Sequence, residues 1–307
     1  MRLAVLNAPR QLDVVDEPVP EPGPGEVLLR VASCGVCASE LDMWEGRADI
    51  EYPRFPGHEV SGTVELPGPG VRGFAPGDPV AAWVTERGFA EYVTVRAEYC
   101  LPAGDVPLHL ALAEPLACAV NAVELAAPAL GDDVVIVGAG FMGNLVQKLV
   151  QLKGPREVIV ADTRPDALVR ARALGATRTV NVARESLDGL DADVAFEVTG
   201  VQPGLLAAGQ AARMSGKLVI VGYHQGEPRA VPLGDWNWRA LELVNAHFRD
   251  VDTIMRGMRV GMRLLTSGRL ALADLVTHCF ALDEVNEAFA VAVEKPEGFV
   301  KATVSAA

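Results

Sequence analysis

Residues 134–143 read V-V-I-V-G-A-G-F-M-G, a run that leaves a chain few choices of fold. Its apolar, largely β-branched opening suits a strand buried on both faces, as in a parallel sheet. Gly138, Gly140 and Gly143 then complete G-x-G-x-x-G at the entry to a helix, with Phe141 and Met142 between the last two glycines. Gly138 allows the tight turn, Gly140 lets backbone approach a phosphate, and Gly143 lets the helix pack closely on the sheet. A dinucleotide pyrophosphate would lie there, against the N–H groups and partial positive charge of the helix N-terminus. A second strand, 157–161, ends in Asp162, 24 positions after Gly138 and close to where a ribose-binding acid belongs. A carboxylate there accepts hydrogen bonds from a free ribose 2′-OH and repels a 2′-phosphate, so NAD is expected in preference to NADP. Arg164, two residues on, is the group that would offset that repulsion.

The rest of the chain falls into two patterns. Up to about residue 105, short β-rich runs at 2–6, 12–16, 26–33, 61–66, 78–83 and 89–95 alternate with glycine and proline, as in an antiparallel, barrel-like domain. Residues 18–25, P-V-P-E-P-G-P-G, form a stiff connector. From Ala111 the pattern changes to helical runs and strand–helix–strand repeats, with strands at 134–137, 157–161, 194–197, 217–221 and 241–245, which signals a parallel sheet. A helix at 251–267, a strand at 276–281, a helix at 283–293 and a strand at 301–304 resemble the first pattern again, so the chain is expected to return to its first domain. The run 108–130 is apolar but interrupted by Glu114, Pro115, Asn121 and Glu124, and reads as a buried helix.

Composition narrows the partners. A formal net charge of −13 argues against nucleic acid or an anionic membrane surface, both of which call for basic patches. No basic, apolar leader precedes the first strand, and five irregularly spaced cysteines do not form a disulfide framework, so a cytoplasmic protein is expected.

Three segments carry chemistry. Cys37 lies in C-G-V-C-A-S-E-L, His58 and Glu59 in F-P-G-H-E-V-S-G-T-V, and Glu114 opens E-P-L-A-C. Thiolate, imidazole and carboxylate make the ligand set of a tetrahedral catalytic zinc with one position left open. Cys34 forms C-x-x-C with Cys37, but no second pair follows; Cys34, Cys100, Cys118 and Cys279 read as packing residues.

In ordered set, G-V-C-x-S-E, G-H-E-x-x-G-x-V, G-F-A-E-Y, E-P-L, G-x-G-x-M-G, V-T-G, G-K-L-V-I-V-G and T-H-x-F-x-L span nearly the whole chain. The chain thereby resembles the zinc-dependent medium-chain dehydrogenase/reductases, the alcohol and polyol dehydrogenase family. The resemblance implies an α/β fold: a GroES-like β-rich catalytic domain (1–117 and 252–307) and a Rossmann domain with a doubly wound parallel sheet (118–251), with the active site in the cleft between them. It implies Cys37, His58 and Glu114 as catalytic zinc positions, and Glu59 as a carboxylate that can approach the metal in exchange for another ligand. Ser39 matches a hydroxyl that starts the proton relay, Lys301 a basic residue reaching the pyrophosphate, and Val221 the strand end facing the nicotinamide.

The chain also departs from the family pattern. No cysteine stands between Ala82 and Gly88, where a four-cysteine lobe would fall, so one catalytic zinc and no structural zinc are expected. Ala38 replaces a basic residue, and Asp42 stands where many relatives pass the proton to solvent through histidine. The expected reaction is oxidation of a secondary alcohol of a polyol, sugar or cyclitol, with hydride transfer to NAD, by a homodimer or homotetramer. Glu40, Asp42 and Glu59 are expected to offer acceptors to such a substrate; Trp44 and Trp83 read either as platforms for its ring or as core or hinge packing. His224 and His247 lie near strand ends as further substrate candidates. The rival readings are a zinc-free, NADPH-dependent double-bond reductase of the same superfamily and a non-catalytic dinucleotide-binding protein; both leave the ligand set without a use.

Overall fold

The computed structural model describes residues 1–248 and 250–306. The chain divides into two compact units, Met1–Leu116 with Met258–Ala307, and Ala117–Gly257. In chain order the elements are β1 Arg2–Ala8, β2 Gln11–Asp16, β3 Glu26–Gly35, α1 Ala38–Trp44, β4 Glu59–Pro67, β5 Pro79–Trp83, β6 Tyr92–Arg96 and β7 Cys100–Pro102. Then follow α2 Ala113–Ala126, β8 Asp133–Val137, α3 Phe141–Gln151, β9 Glu157–Asp162, α4 Pro165–Ala173, β10 Arg178–Asn181, β11 Ala192–Glu197, α5 Gln202–Ala211 and β12 Ala212–Ile220. The last are α6 Leu233–Trp238, β13 Glu242–Asn245, α7 Val251–Thr266, β14 His278–Ala281, α8 Val285–Glu294 and β15 Ala302–Ser305.

The first unit is built on a seven-stranded sheet, β14-β15-β3-β4-β5-β7, with β6 also on β3, beside the β1–β2 hairpin. The ten-residue β3 serves three partners: β4 along its length, β6 at its start and β15 at Cys34 and Gly35. The return of the chain is thus a matter of hydrogen bonding, since β15 closes the sheet against β3. Between sheet and helices lies an apolar core in which the Trp44 and Phe89 rings meet Phe289 of α8 at 5.9 and 5.5 Å.

The second unit is a six-stranded sheet in the order β10-β9-β8-β11-β12-β13, every pairing parallel. Strand order reverses between β8 and β11, the point where open α/β sheets bind ligands at their carboxyl edge. After Asp133, β8 is an unbroken apolar run, 134–137, because both faces are covered. α7 shows the other period: Ile254, Met255, Met258, Met262 and Leu265 are buried while Arg256, Arg259 and Arg263 face solvent.

Some elements differ from the sequence reading. β7 and β10 are short additions, and β12 starts at Ala212, several residues early. The stretch after Cys37 is helix α1, which buries Leu41 and Trp44 three residues apart on one face. Trp44, 3% exposed, is a core residue and not a loop platform for a sugar; Trp83 ends β5 and packs on Tyr99 at 5.2 Å. Cys34 and Cys100 are buried, as expected of packing residues, but Cys279 is exposed, because the alternation of β14 turns it outward.

Candidate active site

The first unit gathers its chemistry where β3 hands over to α1 and where β4 begins. Cys37 stands at the N-terminus of α1. His58 is delivered by a turn only glycine can make: Gly57 has φ +106°, and a Cβ on it would lie 2.5 Å from Phe89 N. Glu59 then opens β4 directly opposite Gly35 of β3. A Cβ on Gly35 would lie 2.0 Å from Glu59 Oε2, so the missing side chain makes room for the carboxylate.

One donor atom each from Cys37, His58 and Glu59 lies within 4.8 Å of the other two. Sulfur, nitrogen and carboxylate oxygen at that spacing match the donor set of an open tetrahedral zinc site. Ser39 Oγ donates to Cys37 Sγ at 3.3 Å. Glu114, on α2, stands outside this convergent trio among the described residues. It is near enough to feel His58, Glu59, Lys301 and Glu40, and its carboxyl is raised chiefly by burial, with Glu59 and Glu40 adding to it and His58 and Lys301 opposing.

Two groups expected in other roles support this site instead. Glu40, buried on α1, accepts from Gly57 N at 2.6 Å, holds His58 Nδ1 at 3.1 Å and accepts from Cys37 N at 3.3 Å. It fixes the imidazole so that Nε2 is the atom left for a metal. Burial alone would raise Glu40, but the His58 charge and these hydrogen bonds carry it below the usual carboxylate range. Burial would likewise lower His58, and Glu40 and Cys37 together push it well up. A concentration of negative groups that draws a proton onto histidine is one a divalent cation would relieve.

Lys301, expected at a pyrophosphate, is buried and pairs with Glu59 at 2.7 Å. Glu59 Oε2, although beside this ammonium, receives no well-aligned hydrogen bond, which leaves it a direction for another electrophile. Asp42 faces Arg47, whose Nε lies 3.0 Å from Oδ1. Glu40 and Glu59 are buried, which corrects the expectation that they stand open to a polyol, whereas Asp42 is half-buried beside Arg47.

In the second unit Gly138 has φ +109° and its N–H bonds Ala161 O at 2.8 Å, joining the loop to β9. A Cβ on Gly143 would lie 1.8 Å from Gly138 O, whereas one on Gly140 would meet nothing within 4 Å. The fold does not need a glycine at 140; a ligand approaching the backbone does. Gly140 starts α3, and no side chain caps that end. Phe141 is buried and Met142 partly so. Asp162 accepts from Ala139 N at 2.7 Å and Arg164 N at 2.9 Å, which sets its carboxylate beside the loop with lone pairs to spare. Val221 follows β12 and its N–H bonds Glu197 O at 2.9 Å.

The chain thus joins a glycine-loop parallel sheet to a β unit that converges Cys, His and Glu. Comparison with known proteins gives this combination a family. Residues 23–105 match the alcohol dehydrogenase GroES-like domain, and residues 142–258 match the zinc-binding dehydrogenase domain. The chain is 32% identical to sorbitol dehydrogenase of Gallus gallus, covering 93% of this chain and 91% of that one, and 29% identical to L-threonine 3-dehydrogenase of Paraburkholderia phytofirmans over 97% of each. Among solved structures, galactitol-1-phosphate dehydrogenase from Escherichia coli superposes with a TM-score of 0.89 at 23% identity, over 99% of this chain and 100% of that one. The protein belongs to the medium-chain alcohol and polyol dehydrogenase family, and as such is an oxidoreductase acting on CH–OH groups with a nicotinamide cofactor.

Proposed function

We propose that this protein oxidises a secondary hydroxyl of a neutral polyol, sugar or cyclitol to the ketone, with one catalytic zinc and NAD as hydride acceptor. The observation that carries the reading is the approach of Cys37, His58 and Glu59 to within 4.8 Å of one another. A zinc ion held there would act as a Lewis acid that lets an alcohol release its proton near neutral pH. Around it, Glu40 fixes the His58 ring, Lys301 offsets the Glu59 charge, and Ser39 takes the alcohol proton. Asp42, paired with Arg47, is the next group toward solvent on the same helix. In the second unit the Gly138–Gly143 turn receives the pyrophosphate and Asp162 the adenosine ribose.

The substrate class is supported by the sorbitol dehydrogenases among the relatives and by the net charge of −13, which disfavours phosphate esters. We further propose a cytoplasmic homodimer or homotetramer. The test is NAD⁺ reduction, followed spectrophotometrically, over polyols, sugars, cyclitols, simple alcohols and sugar phosphates, with metal analysis of the same preparation. Higher kcat/KM for the neutral polyhydroxy compounds and about one zinc per chain are expected. A fully active metal-free protein would overturn the zinc reading, and preference for ethanol or a sugar phosphate would overturn the substrate class.

A further inference from the structure

Glu197 is a fully buried carboxylate at the carboxyl end of β11, in the second unit. Its Oε1 accepts from Thr199 N at 2.6 Å and Gly200 N at 2.8 Å, and its Oε2 lies 2.8 Å from His224 Nε2. On the other side of that ring, Arg229 Nε donates to His224 Nδ1 at 3.1 Å. A guanidinium has no acceptor, so Nδ1 must accept and Nε2 must carry the proton that goes to Glu197. His224 is thereby held between an anion and a cation.

Arg229 spends its other donors on backbone: Glu227 O at 2.6 Å, Gln225 O at 2.9 Å and Gly200 O at 3.3 Å. Among the described residues no carboxylate pairs with it directly. The effect is to bind the loop 221–230 after β12 to the turn 198–201 after β11. The two segments touch so closely that a Cβ on Gly222 would lie 2.2 Å from Gly200 N. On the clamped loop Tyr223, 41% exposed, stacks on His247 beyond β13, with ring centroids 5.4 Å apart and planes 24° apart. A dinucleotide with its ribose at Asp162 beside β9 and its pyrophosphate over β8 must run its second nucleoside across the ends of β11, β12 and β13.

We infer that His224 is a positioning residue for the nicotinamide half of the cofactor: shared by Arg229 and Glu197, it locks the loop that presents Tyr223 to the nicotinamide ring. The inference rests on the proposed dinucleotide binding and deepens it. With the lock removed, the binding-competent loop falls to a fraction of the population, and apparent Kd rises as the inverse of that fraction, about tenfold for a tenth.

The test is direct binding to the whole protein, by calorimetry or fluorescence, of NADH and of ADP-ribose, which lacks nicotinamide. His224→Leu should weaken NADH about tenfold and leave ADP-ribose within about twofold. His224→Gln, which keeps one donor and one acceptor on a planar end, should recover most of the NADH affinity. Arg229→Met, half-buried on the same loop, should reproduce the split if His224→Leu fails to fold. Unchanged NADH binding in these variants, equal weakening of both ligands, or no rescue by glutamine would overturn the inference while leaving cofactor binding intact. A wild-type protein that binds neither ligand would overturn the dinucleotide reading itself, and this inference with it.

Discussion

Replacing Glu40 by glutamine separates the geometry of the metal site from its charge. Glu40 Oε1 serves both Gly57 N at 2.6 Å and His58 Nδ1 at 3.1 Å, while Cys37 N points to Oε2 at 3.3 Å. Glutamine keeps a carbonyl oxygen for the first two and turns an NH₂ toward the third, so the ring stays oriented but loses the anion that raises its basicity. Loss of such an outer partner lowers metal affinity by about 10- to 100-fold. At 1.36 kcal/mol per tenfold, that is about 1.4 to 2.7 kcal/mol. Glu40→Ala should lose as much zinc affinity and, in addition, leave the buried Gly57 N–H without its acceptor, costing about 1–3 kcal/mol of folding stability. Zinc Kd by competition with a chromogenic chelator, and thermal unfolding in excess chelator, read the two effects separately. Zinc affinity within twofold of wild type in Glu40→Gln would refute the argument that this carboxylate tunes His58.

Three further outcomes are expected. Burial opposes the charged imidazole, but Glu40 and Cys37 push His58 well above its ordinary value, so protons and zinc compete for this ring. Zinc affinity should therefore fall as pH falls, by about tenfold per pH unit for each proton released, and a pH-independent Kd would contradict it. Asp162→Ser should reduce the preference for NAD over NADP by removing the repulsion of a 2′-phosphate, with Arg164 nearby to receive it. Comparison of kcat/KM for the two cofactors reads this, and an unshifted ratio would place the discrimination elsewhere. Ser39→Ala should retain zinc and cofactor while slowing alcohol oxidation by about 10²- to 10⁴-fold where proton transfer limits the rate. Wild-type turnover across pH would remove Ser39 from the relay.

What could be read from the sequence was what is local. The strand, glycine turn and helix from Asp133 to Gln151 are encoded by residues in a row, and the same holds for the periodicity that marks α7. Cys37, His58 and Glu59 stood out because their residue types imply chemistry wherever they fold. Glu40 stood out only as a substrate acceptor, since its value to this site lies in reaching residue 57 and beyond from a helix that appears only in three dimensions; its one local trace is the spacing C-x-x-E at a helix start. Lys301 pairs with a residue 242 positions away, a relation no window along the chain displays. Trp44 was open to two readings: beside a metal-binding segment it looked available to a substrate or fit for the core, and the turn of α1 points it inward to Phe289. His224 carries no motif, and only the meeting of two loops gives it neighbours.

The pairing of β15 with β3, and of Lys301 with Glu59, bears on the order in which this protein can be made. During synthesis Cys37, His58 and Glu59 emerge early, and the whole second unit, one continuous segment, can then complete its parallel sheet. The first unit has to wait. Until the chain reaches Lys301, the β3 edge at Cys34 and Gly35 has no β15, and Glu59 has no ammonium beside it. A carboxylate in that position would cost several kcal/mol if buried alone, so the nascent first unit has reason to remain open around it. The site that looks oldest in the sequence is, in time, the last to close.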